Sequence, residues 1–308
     1  MTKRSENVIV MRGRAQRPMN GMSAGILDRS FFRDAGKPSM RKLHRYLILA
    51  VAFVAAGCQT VQTTQPGAVG VERKQHMIVS EADVEKGAEV AYQEELGKAR
   101  KQNALNQNKV TYDRVQAIAR RLIPQTTVFR PDAGGWNWEV NVQTTDDVNA
   151  YCMPGGKIMV YTGLIDQLNA TDDELAAVIG HEIAHALREH SRERMSQEYA
   201  QQLALAGIAI ATGAGDTTMQ LANQVAAVTF TLPHSRAQEA EADRIGLELM
   251  ARAGYDPNAA VSLWQKMDKL GGSRAEFFST HPSSESRIRD LQANVPKVIG
   301  FYQNTKQQ

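Results

Sequence analysis

Residues 172–190 read DDELAAVIGHEIAHALREH, and three side chains inside them, His181, Glu182 and His185, decide how the chain is read. Residues four apart on an α-helix project from the same face, so two imidazoles at this spacing can each offer a nitrogen to one metal ion. Glu182 then lies beside them, placed to take a proton from metal-bound water, as in zinc hydrolases. The flanks predict a helix independently of the motif. Thr171 with Glu174 three residues on reads as a capping box, and Leu175, Val178, Ile179 and Ile183 supply the apolar positions.

A hydrolytic zinc site needs a third protein ligand and an open fourth position. Residues 235–249, SRAQEAEADRIGLEL, offer one. Glu239 and Asp243 are again four apart, on a segment whose Ile245, Leu247 and Leu249 suit burial. One carboxylate can bind metal while the other steadies a ligating imidazole from behind. In isolation Glu239, Glu241 and Asp243 would read as a solvated acidic face partnered by Arg236 and Arg244. Downstream of HEIAH the ligand reading takes precedence.

Four segments together carry a resemblance: VNAYCMPGGKIMVYTGLI at 148–165, DDELAAVIGHEIAHALREH at 172–190, SRAQEAEADRIGLELMARAGYDP at 235–257 and STHPSSESRIRDL at 279–291. In order and spacing the chain resembles the HtpX-type and CAAX prenyl protease-type zinc metallopeptidases, in their small soluble periplasmic lipoprotein branch. The resemblance spans about residues 80–295. It implies an α+β, mainly α-helical fold, a zincin-like (gluzincin) metallopeptidase domain with a small β-sheet beside the HExxH helix. It also implies one Zn²⁺ held by His181, His185 and Glu239, with Glu182 as catalytic base and Asp243 in support. The activity implied is zinc-dependent endopeptidase chemistry. His281, in a His-Pro pair that the resemblance puts near the metal, is the candidate donor to the developing oxyanion. It is equally a candidate gate, occupying the open coordination position. His190 and His234 read as surface or second-layer residues.

Val140 and Val142 and the run Ile158 to Tyr161 read as strands, with Pro154, Gly155 and Gly156 as a turn before the second. In the resembled family the stretch holding Asn149 and Ala150 belongs to an active-site strand. An exposed strand edge there would take an extended polypeptide through main-chain hydrogen bonds. The partners expected are therefore unfolded or misassembled polypeptide substrates, with outer-membrane assembly proteins as further candidates.

The N-terminal region predicts location. Residues 46–57, YLILAVAFVAAG, follow Arg41, Lys42 and Arg45 and end at Cys58. That is a charged region, an apolar core and small residues before a cysteine, the layout of a bacterial lipoprotein signal. The apolar run is too short for a membrane span, which needs about 20 residues. Cys58 is thus the expected lipidation site, giving an outer-membrane, periplasm-facing protein that meets the membrane through its lipid anchor only. The expected start is Met40, with 1–39 an extension, 40–57 the signal peptide, 58–79 a flexible tether rich in Gln, Thr, Pro and Gly, and 80–308 the metallopeptidase domain.

Of the overall formal charge of +3, residues 1–57 carry +8 and residues 58–308 therefore −5, so the basic character belongs to the leader and no nucleic-acid partner is expected. Cys58 and Cys152 are the chain's 2 cysteines, so acylation of the first leaves no intrachain disulfide and makes Cys152 a packed strand residue. The expected helices are 81–105, 111–123, a buried pair within 203–231 covering the active-site helices, 257–270 and 283–293. A second functional reading stands beside the enzyme: a chaperone-like or scaffolding lipoprotein with a structural or gated zinc site.

Overall fold

The computed structural model describes residues 59–206, 218–270, 277–282 and 285–307. Cys58, the signal and the extension before it lie outside the described residues, as do positions 207–217 of the expected buried pair. In chain order the elements are strands β1 (Gln59–Val61) and β2 (Gln75–Met77), helices α1 (Glu81–Lys101) and α2 (Lys109–Leu122), and strands β3 (Glu139–Gln143), β4 (Ala150–Met153) and β5 (Lys157–Tyr161). Then come helices α3 (Thr162–Gln167), α4 (Asp172–Leu187), α5 (His190–Ala206), α6 (Thr218–Phe230), α7 (Arg236–Arg252), α8 (Asn258–Leu270), α9 (Phe277–Thr280) and α10 (Glu285–Thr305). The fold is mainly helical with small sheets, a zincin-like architecture.

Helix α4 carries HEIAH and is the centre of the fold. Thr171 opens it: its hydroxyl accepts from the Glu174 N–H at 3.2 Å and the Thr171 N–H donates to the Glu174 carboxylate at 2.9 Å, which satisfies two backbone donors that would otherwise be orphaned. Every residue from Glu174 to Leu187 is buried. A helix covered on all sides must be apolar on all sides except where polar groups meet polar partners, which is why His181, Glu182 and His185 interrupt a run of Ala, Val, Ile and Leu. Helices α2, α5, α7 and α8 and strands β4 and β5 supply the cover.

The contact with α7 is made backbone to backbone. A Cβ on Gly246 would sit 2.8 Å from the His181 nitrogen, and one on Gly180 would sit 3.0 Å from the Gly246 carbonyl oxygen. Only paired glycines let the two axes come this close. That approach carries the carboxylates of α7 to the imidazoles of α4. Ser235 opens α7 with a second capping box, closed by Gln238.

On the other side of α4 lies a three-stranded sheet in the order β3-β5-β4. β3 runs parallel to β5, and β4 antiparallel to it with Ala150 opposite Val160. The hairpin between β4 and β5 turns at Gly155 and Gly156, whose φ of +76° and +83° suits glycine. β4 is an edge strand, and all four of its residues are buried.

The expected tether is instead packed structure. β1 and β2 pair antiparallel, Val69, Val71 and Met77 are buried, and Gln75 is fully enclosed, donating to the Arg188 carbonyl and to Glu193. Gln and Thr suggest a solvated linker by composition, but here their amides and hydroxyls find partners inside the protein. Helix α1 stops at Lys101 rather than 105, and Asn103 and Asn106 take left-handed φ of 52° and 53° beyond it. Helix α10 runs on to Thr305, past the expected end at 293. Pro296 lies inside it and forfeits one hydrogen bond, while buried Leu291, Asn294 and Val298 hold the helix on either side. Helix α6 packs chiefly on α1 and α5, and reaches the active-site cavity through Thr229. Among the described residues no helix is long and apolar enough to cross a membrane.

Candidate metal centre

One atom each from His181, His185, Glu239 and His281 lie within 4.8 Å of one another, and all four residues are buried. The closest approaches are between Nε2 of His181 and Nε2 of His185 at 3.1 Å, and between His281 Nδ1 and Glu239 Oε1 at 3.0 Å. His181 Nε2 stands 3.3 Å from His281 Nδ1 and 3.5 Å from Glu239 Oε2, and His185 Nε2 stands 3.5 Å from Glu239 Oε1. Zinc bound tetrahedrally at about 2.0–2.2 Å needs ligand atoms roughly 3.3–3.6 Å apart. Two imidazole nitrogens, a carboxylate oxygen and a third imidazole nitrogen at this spacing fit that ion in chemistry and in size.

The electrostatics agree. Burial pulls the His181 imidazolium down, but hydrogen bonds to Asp243 and Glu239 outweigh it and push its pKa up to about 9, so the surrounding carboxylates favour a cation at this corner. His185 goes the other way: burial and the neighbouring imidazoles of His234 and His181 hold it far below the ordinary histidine value. It is thus neutral, the form that ligates metal. Burial works against the Glu239 carboxylate, yet the charges of His281 and Arg287 keep it ionised, well below the usual range.

Asp243 stands behind His181, its Oδ1 3.0 Å from the ring Nδ1. Arg287 on α10 locks both acids: Nε and NH2 each donate to Asp243 at 2.7 Å, and NH1 lies 2.7 Å from Glu239 Oε2. The guanidinium also lies 3.8 Å from the centre of the Trp264 ring. Arg287 escaped the sequence reading. A basic residue six positions after His281 gives no sign that it will be 5% exposed and bound to two carboxylates.

Glu182 lies beside this group, in a cavity it shares with Asn149, Ala150, Tyr151, Cys152, His185 and His281. Its Oε1 lies 3.5 Å from His281 Nε2. Burial raises its pKa, which brings a carboxyl nearer to the range in which it can exchange protons. The structure therefore brings together every candidate on α4, α7, the His-Pro loop and β4. The Cys152 thiol is free and buried, and burial pushes its pKa up.

Against this geometry, the model of peptidase family M48 matches residues 110–295. The chain belongs to peptidase family M48. Its relatives include the mitochondrial metalloendopeptidase OMA1 of Arabidopsis thaliana, 42% identical over 166 residues that make up 52% of this chain and 32% of that protein. The metalloendopeptidase OMA1 of Bos taurus is 31% identical over 292 residues, 87% of this chain and 53% of the relative. The metalloprotease LoiP of Escherichia coli is 29% identical over 245 residues, 79% of this chain and 92% of LoiP. This M48 chain thus spans about half or less of the OMA1 proteins and nearly the whole of LoiP.

The two histidines read as surface or second-layer residues are both buried in the layer next to His185. His190 is fully buried with Nδ1 2.8 Å from His185 Nδ1, and His234 lies against His185 with ring centroids 4.1 Å apart. Five of the chain's 7 histidines therefore pack in one cluster. For His190 the signal hidden from sequence is Glu189, whose φ of +49° breaks the helix and folds the next residue back onto the last turn.

Proposed function

We propose that this M48 chain is a zinc-dependent endopeptidase that hydrolyses peptide bonds of unfolded or misassembled proteins at the bacterial outer membrane, on its periplasmic face. The observation that carries the chemistry is the convergence of His181, His185 and Glu239 beside a carboxylate, Glu182, that is not needed to hold the ion. Bound there, zinc supplies Lewis acidity, polarising a substrate carbonyl and making water a better nucleophile. Glu182 accepts the proton from that water and passes it to the departing amine. Asp243 holds His181 in the orientation and tautomer that leave Nε2 free to ligate. β4, which Asn149 precedes and Ala150 opens, is paired on one side by β5 and would take an extended chain along its other edge, a mode of binding that tolerates many side chains. The location rests on the signal-like run ending at Cys58.

The position of His281 favours a gated form of this reading. It fills the fourth corner of the cluster, stacked on Phe277 at 4.3 Å, and the whole group is covered. A site of this kind opens when His281 withdraws with α9.

The test is degradation of casein by the zinc-loaded full chain, compared with Glu182→Gln and His281→Ala at equal zinc content. Glu182→Gln is expected to keep its zinc and to lose cleavage by about 10²-fold or more. Equal cleavage by that variant refutes the base assignment. His281→Ala is expected to cut faster than wild type, whereas a fall of about 10²-fold would return His281 to the role of oxyanion donor.

A further inference from the structure

The two imidazoles of HEIAH are braced by different means. His181 meets a carboxylate directly, through Asp243. His185 meets another imidazole: its Nδ1 lies 2.8 Å from Nδ1 of His190, and Nε2 of His190 lies 3.1 Å from Glu241 Oε2. We infer that His190 and Glu241 form a relay that orients and polarises His185, and that the segment before α1 completes it. The inference rests on the reading of His185 as a ligand through Nε2.

Given that ligation, the tautomers follow from the partners. A neutral His185 that ligates through Nε2 carries its proton on Nδ1, and Nδ1–H donates to Nδ1 of His190. His190 accepts there and so carries its own proton on Nε2, which donates to the Glu241 carboxylate. Each nitrogen along the line has one role, and the negative end lies two hydrogen bonds from the metal ligand. The effect is that of the carboxylate–histidine pairs behind metal ligands, lengthened by one ring.

The surroundings fix both ends. Glu189 in its left-handed conformation places the His190 ring under His185. Glu241 is held by three further donors: Arg188 Nε at 3.0 Å, Arg73 Nε at 2.5 Å and Arg73 NH2 at 3.1 Å. Arg73 belongs to the loop between β1 and β2, the stretch expected to be a tether, and it also grips Glu193 at 2.5 and 2.9 Å. Arg188, fully buried, donates back to the Arg73 carbonyl at 2.8 Å. Residues 59–79 are thus a strap across the back of the metal centre, with Arg73 as its buckle on Glu241.

The test measures release of zinc from the loaded full chain to a chromogenic chelator, together with thermal unfolding of the metal-free proteins. His190→Phe keeps a ring of similar size and removes both nitrogens, leaving the His185 N–H without an acceptor. It is expected to release zinc about 10- to 100-fold faster, the usual cost of losing a partner behind a ligand. His190→Asn puts an acceptor oxygen where Nδ1 stands and is expected to recover most of that loss, a rescue that a mere packing role does not give. Release by His190→Phe at the wild-type rate overturns the relay, and so does His190→Asn matching His190→Phe. If His190→Phe does not fold in the metal-free state, Glu241→Gln decides: it keeps both rings and removes the charge, and release unchanged from wild type overturns the inference. A wild-type chain that binds no zinc, or His185→Ala that binds it as tightly as wild type, refutes instead the ligand reading on which the relay rests.

Discussion

The region behind His181 and the region behind His185 do the same work with different materials. Behind His181 the brace is short and comes from the C-terminal half: Asp243 on α7, itself clamped by Arg287 of α10. Behind His185 it is long and draws on three separate segments: His190 at the start of α5, Glu241 on α7, and Arg73 on the N-terminal strap. One helix therefore collects support from chain segments that lie far apart in sequence. The lesson is that a four-residue spacing places two ligands on one face but does not say what will hold either of them. A direct carboxylate is a strong and local brace. A relay depends on every member, including a loop close to the expected anchor.

The change expected to break this comparison most severely is Asp243→Ala. It leaves Nδ1 of His181 facing an empty place and strips two hydrogen bonds from a guanidinium that is 5% exposed. Removing one partner of a buried ion pair costs about 3–5 kcal/mol, because the remaining charge has no solvent to turn to. Urea denaturation of the metal-free protein checks this, and the midpoint should fall with little change in slope. A loss below about 1 kcal/mol would mean that Glu239 alone satisfies Arg287.

Gly246→Ala comes next, and it should weaken both sides together. Its Cβ would meet backbone atoms of Gly180 and His181 at 2.8–3.0 Å, and backbone cannot swing aside as a side-chain tip can. Helices α4 and α7 must separate, at a cost of about 1–3 kcal/mol. Both imidazoles then lose their distance to Glu239, so zinc binding should weaken along with stability. Urea titration and chelator competition measure the two effects. A variant that loses stability but keeps its zinc affinity would show that the ligand atoms follow the helices as they part.

The two regions also differ in how far they could be read beforehand. His181, Glu182 and His185 stood out by helical spacing, Glu239 and Asp243 only once HEIAH stood upstream of them and the family resemblance gave them roles, and the structure gathers these residues at one place. His281 was legible as a neighbour of the metal, while its place in the fourth corner depends on α9 and the stacking of Phe277, which no local pattern announces. The relay was illegible for three separate reasons. The left-handed turn falls on a glutamate rather than a glycine, so nothing marked the break before His190. Glu241 sat among acidic neighbours that read as a solvated face. The strap has a linker's composition, and its packing depends on Arg73 and Gln75 meeting partners more than a hundred positions away and on the burial of Val69, Val71 and Met77.

The smallest effect concerns the end of α4 remote from the metal, which serves both regions alike. Burial pushes the Glu174 carboxyl up, but hydrogen bonds from Lys266, the Thr171 N–H and Ser262 outweigh it and leave its pKa below the ordinary 4.5. A group whose pKa is lower folded than unfolded binds fewer protons in the native state. Its contribution is therefore present above the unfolded value and is lost as the pH falls through the folded one. Glu174→Gln should lower thermal stability at pH 7 by about 1 kcal/mol or less, since the amide still offers an oxygen to the Thr171 N–H and loses chiefly the charge beside Lys266. The gap between variant and wild type should close as the pH drops below about 4.5, because the wild-type carboxyl then becomes neutral as well. Melting curves of the two metal-free proteins across that range decide it. A gap that stays constant would assign Glu174's contribution to its shape in the capping box, and a shift in zinc affinity would mean that fraying at Thr171 reaches the ligands three turns away.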